Sequence, residues 1–118
     1  MKSIEIKIVK SEEQRKIAVK EISDQFMRGQ IEKNKITVIL TTDLFAKIFS
    51  PRRLELLMTV AERPAGSVSE LARSLKRKFE VVYRDLKLFE QFGFIKLTKA
   101  KRAVMMELIG EIRLPVIA

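Results

Sequence analysis

The sequence predicts an α+β protein, and three observations carry that reading. Near the N-terminus Ile4, Ile6 and Ile8 alternate with Glu5 and Lys7, the period of two that marks a half-buried strand. Further along, apolar residues recur every three or four positions in several capped segments, as amphipathic helices require. Toward the C-terminus two short strand-like runs flank a basic turn, the pattern of a β-hairpin.

The elements follow in order. Ser11-Glu12-Glu13 supplies a Ser cap and an acidic first turn, after which Ala18, Ile22 and Phe26 recur every four residues with Val19 beside them. A helix therefore runs to a stop at Gly29. "KITVIL", Lys35 to Leu40, is short and β-branched and reads as a second strand. Thr41-Thr42-Asp43 caps a brief helix carrying Leu44, Phe45, Ile48 and Phe49. Ser50-Pro51 opens the next helix, with Pro at the first helical position, where its missing N–H does no harm. Its expected buried stripe is Leu54, Leu57, Met58 and Ala61, and Arg63-Pro64-Ala65-Gly66 is its end.

In "SVSELARSL", Ser67 and Glu70 stand in the S-x-x-E relation of a capping box, with Val68, Leu71, Ala72 and Leu75 inward. Phe79 to Phe92 predicts a longer helix with Val82, Leu86 and Phe89 in register, widened by Val81 and Leu88 and stopped by Gly93. "FIKLT", a turn at Lys99-Ala100-Lys101 and "RAVMMEL" form the hairpin. The final "EIRLPVI" alternates Ile112, Leu114 and Val116, and Pro115 makes it either an edge strand or a tail outside any sheet.

Composition bounds what such a chain can do. At 118 residues, with 47% hydrophobic and 33% charged residues, it has the length and balance of one folded domain. Lys and Arg number 24 against 15 Asp and Glu, a net charge of +9. The excess is uneven: 10 cations against 7 acids in residues 1–50, 13 against 6 in 51–102, and 1 against 2 in 103–118. That favours a polyanionic partner, although net charge also serves solubility. With neither Cys nor His, a disulfide framework, a zinc or thiolate metal site and histidine-based catalysis are excluded. The carboxylates are scattered among Lys and Arg as on solvated helix faces, so neither enzyme activity nor a cofactor is expected. No run approaches the ~20 apolar residues of a membrane span, and a cytoplasmic protein is expected.

From Pro51 onward the order is helix, short turn, short capped helix, tight connection, longer helix, Gly, then a hairpin with a basic tip. This is the layout of a winged helix-turn-helix. The second helix is short because it crosses the phosphate backbone, and the third is long enough to lie in a major groove about 12 Å wide. The expected organisation is thus a winged helix-turn-helix over residues 41–108, an N-terminal β-α-β extension over 1–40, and a strand or tail over 109–118.

The stretch "SPRRLELLMTV…SVSELARSL…VVYRDLKLFEQFGFI" resembles the winged helix-turn-helix proteins of the MarR/ArsR-like group. In particular it is similar to a small archaeal and bacterial family of predicted transcriptional regulators. Ser69-Glu70-Leu71-Ala72-Arg73 followed by Arg84-Asp85-Leu86 carries the likeness, which spans about Leu44 to Leu97. The resemblance implies sequence-dependent binding of double-stranded DNA as a homodimer, with some members antitoxin-like beside a toxin-like protein partner. In that pattern a Gly or small residue usually stands in the turn where this chain has Lys76-Arg77-Lys78, and a small polar residue stands early in the third helix, where Phe79 and Val81 occur here.

The candidate site follows from the faces of the third helix. With Val82, Leu86 and Phe89 inward, Glu80, Tyr83, Arg84, Lys87 and Gln91 point outward at helical spacing. Tyr83, Arg84, Lys87 and Glu80 are the candidates for base contact. Arg84 either pairs bidentately with guanine or makes an ion pair along the helix. Glu80 either accepts from cytosine or complements the helix dipole, and Asp85 is expected to pair with an Arg of a neighbouring helix. Lys76, Arg77, Lys78, Ser67, Arg52 and Arg53 are the candidates for backbone contact, the last two alternatively meeting a carboxylate across a dimer. Lys96, Lys99, Lys101 and Arg102 are the wing cations, unless they serve only solubility. Ile4, Ile6, Ile8, Ala18, Ile22 and Phe26 are expected as core or, where exposed, as a dimer or partner surface.

Overall fold

The computed structural model describes residues 2–30, 34–63 and 65–117, with the backbone alone for Ala65 and for residues 114–117. Pro64, read above as part of a helix stop, and the side-chain alternation of Leu114 and Val116 lie outside what is described. The chain is α+β, with five helices and two three-stranded sheets among the described residues. It divides into two units: residues 1–48 with 111–118, and residues 49–110. The second unit is therefore an insertion in the chain of the first. The brief helix at 42–48 and the C-terminal strand both belong to the first unit, unlike the division expected from sequence.

In the first unit β1 (Ser3–Val9) pairs in parallel with β2 (Lys35–Thr41) on one side and β6 (Glu111–Ile117) on the other. The register Ile4↔Ile36, Ile6↔Val38 and Ile8↔Leu40 puts apolar side chains on one face. Ile4 and Ile6 are fully buried and Ile8 half-buried. The other face carries Ser3, Glu5 and Lys7, where Glu5 and Lys35 form an ion pair at 3.0 Å. Parallel neighbours require a crossover. Helix α1 (Glu12–Met27) supplies it from β1 to β2, whereas α2 (Thr42–Ile48) and the whole second unit separate β2 from β6. The edge-strand alternative for the last segment holds: between Glu5↔Arg113 and Lys7↔Val116, β6 has one residue more than β1. Pro115 sits in this bulge on an edge, where a missing N–H is tolerated.

Helix α1 is capped as expected, the Gln14 N–H donating to Ser11 Oγ at 3.2 Å. Its expected stripe is only partly inside. Ala18 is buried and Ile22 half-buried, but Phe26 is 69% exposed and Val19 is also exposed. Spacing of four advances about 40° per step around a helix of 3.6 residues per turn. From Ala18 to Phe26 the stripe has turned about 80° away from the face that meets the sheet.

The second unit contains α3 (Pro51–Glu62), β3 (Ala65–Ser67), α4 (Val68–Leu75), α5 (Phe79–Gln91), β4 (Ile95–Ala100) and β5 (Ala103–Leu108). Its sheet is antiparallel in the order β3-β5-β4. The core joins Val68, Leu71 and Ala72 of α4 to Val82, Leu86 and Phe89 of α5 and to Ile95, Met106 and Leu108 of the sheet. Phe49, Phe89 and Phe94 form an aromatic triad with centroids 5.9 to 6.1 Å apart. Ser50 caps α3 by accepting from the Arg53 N–H at 3.3 Å, with Pro51 at the first position.

The buried face of α3 differs from the expected one. Leu56, Leu57 and Val60 are inside, while Leu54, Met58 and Ala61 are exposed. The reason is Arg53, whose Nε donates to Asp85 Oδ1 of α5 at 3.0 Å. Arg53, Leu56, Leu57 and Val60 are spaced i, i+3, i+4 and i+7, so one face begins with a charged residue. The unexpected β3 is three residues long, too short to show alternation in a sequence.

Candidate nucleic-acid interface

The turn from α4 to α5 is built by a helix closure that occurs three times among the described residues. At the end of α1 the Gln30 N–H donates to Gln25 O at 2.9 Å, and at the end of α5 the Phe94 N–H donates to Phe89 O at 3.1 Å. Each encloses a glycine in the left-handed region, Gly29 at φ 68° and Gly93 at φ 81°. At the end of α4 the Arg77 N–H donates to Ala72 O at 3.0 Å, but the enclosed left-handed residue is Lys76 at φ 55°. A side chain there costs about 1 kcal/mol that glycine would avoid. Among the described residues the other positive-φ residue with a side chain is also a lysine: Lys101, φ 53°, at the tip of the β4–β5 hairpin. Ala100 pairs with Ala103, so the turn is Lys101-Arg102, one residue later than expected.

The three cations of the turn part company. Lys76 and Lys78 are exposed and make no ion pair among the described residues. Arg77 folds inward: its side chain is only 12% exposed, donating from Nη1 to Arg52 O at 3.0 Å and reaching Glu55 Oε2 at 3.3 Å. It ties the turn to α3, which removes it from the outward set. Arg53 is likewise committed to Asp85, as the expected Asp–Arg pairing between helices requires. Arg52 remains exposed. Ser67 Oγ accepts from the Glu70 N–H at 3.1 Å and so caps α4, while the return bond of a full capping box is absent among the described residues.

On α5, Glu80, Arg84, Lys87 and Gln91 are exposed, opposite Val82, Leu86 and Phe89. The Arg84 side chain makes no hydrogen bond or ion pair among the described residues, so the ion pair along the helix is not made. Tyr83 is half-buried at the flank, stacked on Phe79 with centroids 5.7 Å apart and planes 13° apart. Lys87 Nζ lies 5.7 Å from the Tyr83 ring centre and 3.9 Å from Glu90 Oε1. Glu90 in turn accepts from the Leu97 N–H at 2.9 Å, joining α5 to β4.

The hairpin separates its lysines. Lys99, opposite Val104, shares the face of Ile95, Leu97 and Met106, whereas Lys96 lies opposite Glu107 on the other face. Of the four expected wing cations, Lys99, Lys101 and Arg102 therefore group toward the hairpin tip, with Lys96 on the other face. The sequence reading passed over Arg73, exposed on α4 with no ion pair among the described residues. It is an ordinary helix-surface residue in sequence, and only the unpaired state singles it out.

The family model of HVO_A0114 matches residues 48–110. The chain belongs to the HVO_A0114 family. The matched span coincides, to within one residue, with the inserted unit at 49–110, so the family's common part in this chain is the unit that bears Lys76, Arg84 and Lys101. No curated protein and no solved structure matches the chain. Among the described residues of this HVO_A0114 family member, no cluster of acids could hold a metal ion and no helix is long and apolar enough to cross a membrane.

Proposed function

We propose that this protein is a transcriptional regulator that binds double-stranded DNA sequence-dependently as a homodimer. In this reading residues 49–110 act as a winged helix-turn-helix: α5 enters the major groove, α4 crosses the backbone, and the β4–β5 hairpin is the wing. The observation that carries it is the pair of left-handed lysines. Two positions where glycine is locally preferred both hold Lys, one before α5 and one at the hairpin tip, and local strain retained in this way points to function. Lys76, Lys78, Lys99, Lys101, Arg102 and Arg52 then contact phosphate, setting affinity and register, while Arg84 reads a base edge.

Fluorescence anisotropy on duplexes selected by the protein from random DNA tests this. Affinity for the selected duplex above that for random DNA is expected. Arg84→Ala lowers specific affinity by about 1–3 kcal/mol and relaxes one base position, whereas Lys101→Ala weakens all duplexes alike. Equal affinity for selected and random duplexes overturns the reading.

A second reading, an antitoxin-like or adaptor protein with a protein partner, draws on α1. Ile17, Val19, Phe26 and Met27 are exposed along this 16-residue helix, apolar surface of the kind that meets a partner. Co-purification of a stoichiometric partner lost on Phe26→Ser supports it, and it is compatible with DNA binding by the inserted unit.

A further inference from the structure

We infer that Phe79 and Tyr83 read a thymine through its C5-methyl group, a specificity element that rests on the DNA-binding reading above. Four features of α5 lead there. The outward arc of the helix is wholly polar, with Glu80, Arg84, Lys87 and Gln91 exposed. Apolar side chains reach the solvent at its two flanks, Val81 and Leu88 on one and Phe79 and Tyr83 on the other, and of these only the rings of Phe79 and Tyr83 lie nearly parallel as a pair. The pair sits in the first two turns, the part of a recognition helix that approaches base edges. It is also held from behind: Lys87 lies over the Tyr83 ring, Glu90 is beside Lys87, and Glu90 accepts from the β4 backbone.

This support decides what the rings can meet. Phe79 lies one turn before Tyr83 and Lys87 one turn after it, so the tyrosine does not offer the bare face that stacking on an unpaired base needs. What it presents is a ring edge beside the phenylalanine, an apolar ridge. In the major groove the one apolar group on a base edge is the thymine methyl. Arg84, next in sequence and fully outward, then reads a hydrogen-bonding edge beside it, so a thymine adjacent to or one step from a guanine is the expected half-site core.

Deoxyuridine pairs like thymidine but lacks only the methyl, which makes it the probe. In a duplex selected by the full-length protein, each thymidine is replaced in turn and affinity measured by anisotropy. The expected result is one position per half-site where replacement weakens binding about fourfold, the worth of one buried methyl-sized group. Tyr83→Ala makes that position indifferent to the methyl, while Tyr83→Phe keeps the preference. A role confined to stabilising the helix would lower the melting temperature of Tyr83→Ala without changing the thymidine-to-deoxyuridine ratio, and that result overturns the inference. The wild-type measurement stands without any variant. A selected duplex that tolerates deoxyuridine everywhere overturns this inference alone, and failure to select any duplex over random DNA overturns the DNA-binding reading with it.

Discussion

The two units differ less in how much charge they carry than in where it goes. The inserted unit has 13 Lys and Arg against 7 Asp and Glu, the outer unit 11 against 8. In the inserted unit two arginines turn inward, Arg53 to Asp85 and Arg77 to Glu55, and fix helices in place. In the outer unit Glu12–Arg15 lies on the surface, with Arg15 Nε also donating to Ile39 O at 3.2 Å, and Glu5–Lys35 joins a half-buried glutamate to an exposed lysine. Aromatic residues divide the same way, with Phe49, Phe89 and Phe94 packed together in one unit and Phe26 open to solvent in the other. The inserted unit thus has a frame of inward arginines and packed rings from which its remaining cations project, while both units leave some apolar side chains exposed, Leu54 and Met58 in one and Phe26 and Met27 in the other.

The largest expected effect tests the aromatic half of this contrast. Phe89→Ala should cost about 3–5 kcal/mol, because Phe89 is fully buried in the triad. Phe26→Ser should stay within about 0.5 kcal/mol. Urea denaturation followed by far-UV circular dichroism reads both units, with α1 in one and α5 in the other. Similar losses from the two substitutions would end the comparison.

The ion pairs come next. Asp85→Ala removes the carboxylate that accepts from Arg53 Nε and should cost about 2 kcal/mol. Glu5→Gln breaks a pair whose lysine is exposed and should cost under about 1 kcal/mol, less still in high salt. If thermal melts show both substitutions to be equally mild, the inward arginines are not the frame described.

Smallest, and opposite in sign, is the helix closure. Lys76→Gly should raise stability by about 0.5 kcal/mol, since relief of the left-handed strain slightly exceeds the entropy lost with glycine. On the proposed DNA-binding reading the same change also weakens binding to duplex DNA. Gly93→Ala should instead lose about 1 kcal/mol, a backbone effect alone because nothing lies within 4 Å of the added methyl. A Lys76→Gly protein that gains stability and keeps full DNA affinity would leave the strained lysine without a purpose.

What the sequence made legible was local. The period of two at Ile4-Ile6-Ile8, the serine caps at positions 11, 50 and 67 and the glycine stops at 29 and 93 are each decided within a few residues. What escaped was decided at a distance. The face of α3 is set by Arg53 meeting Asp85, which lies 32 residues on, so apolar spacing alone chose Leu54 and Met58 instead of Leu56 and Val60. Arg77 was indistinguishable from its neighbours in "KRK" until Glu55 and the Arg52 carbonyl drew it inward. Lys96 and Lys99 read as one wing cluster, yet the hairpin pairing puts them on opposite faces.

The pairing of β6 with β1 also orders events in time. Ser3 meets Glu111 only after everything between them has been made and brought round, a closure far longer than any within the inserted unit. Helices and a two-residue hairpin form from near neighbours and form fast; parallel strands so distant in sequence form late. The inserted unit is therefore expected to collapse first during refolding, drawing the two ends of the outer sheet toward each other. The third strand of that sheet is the last to dock.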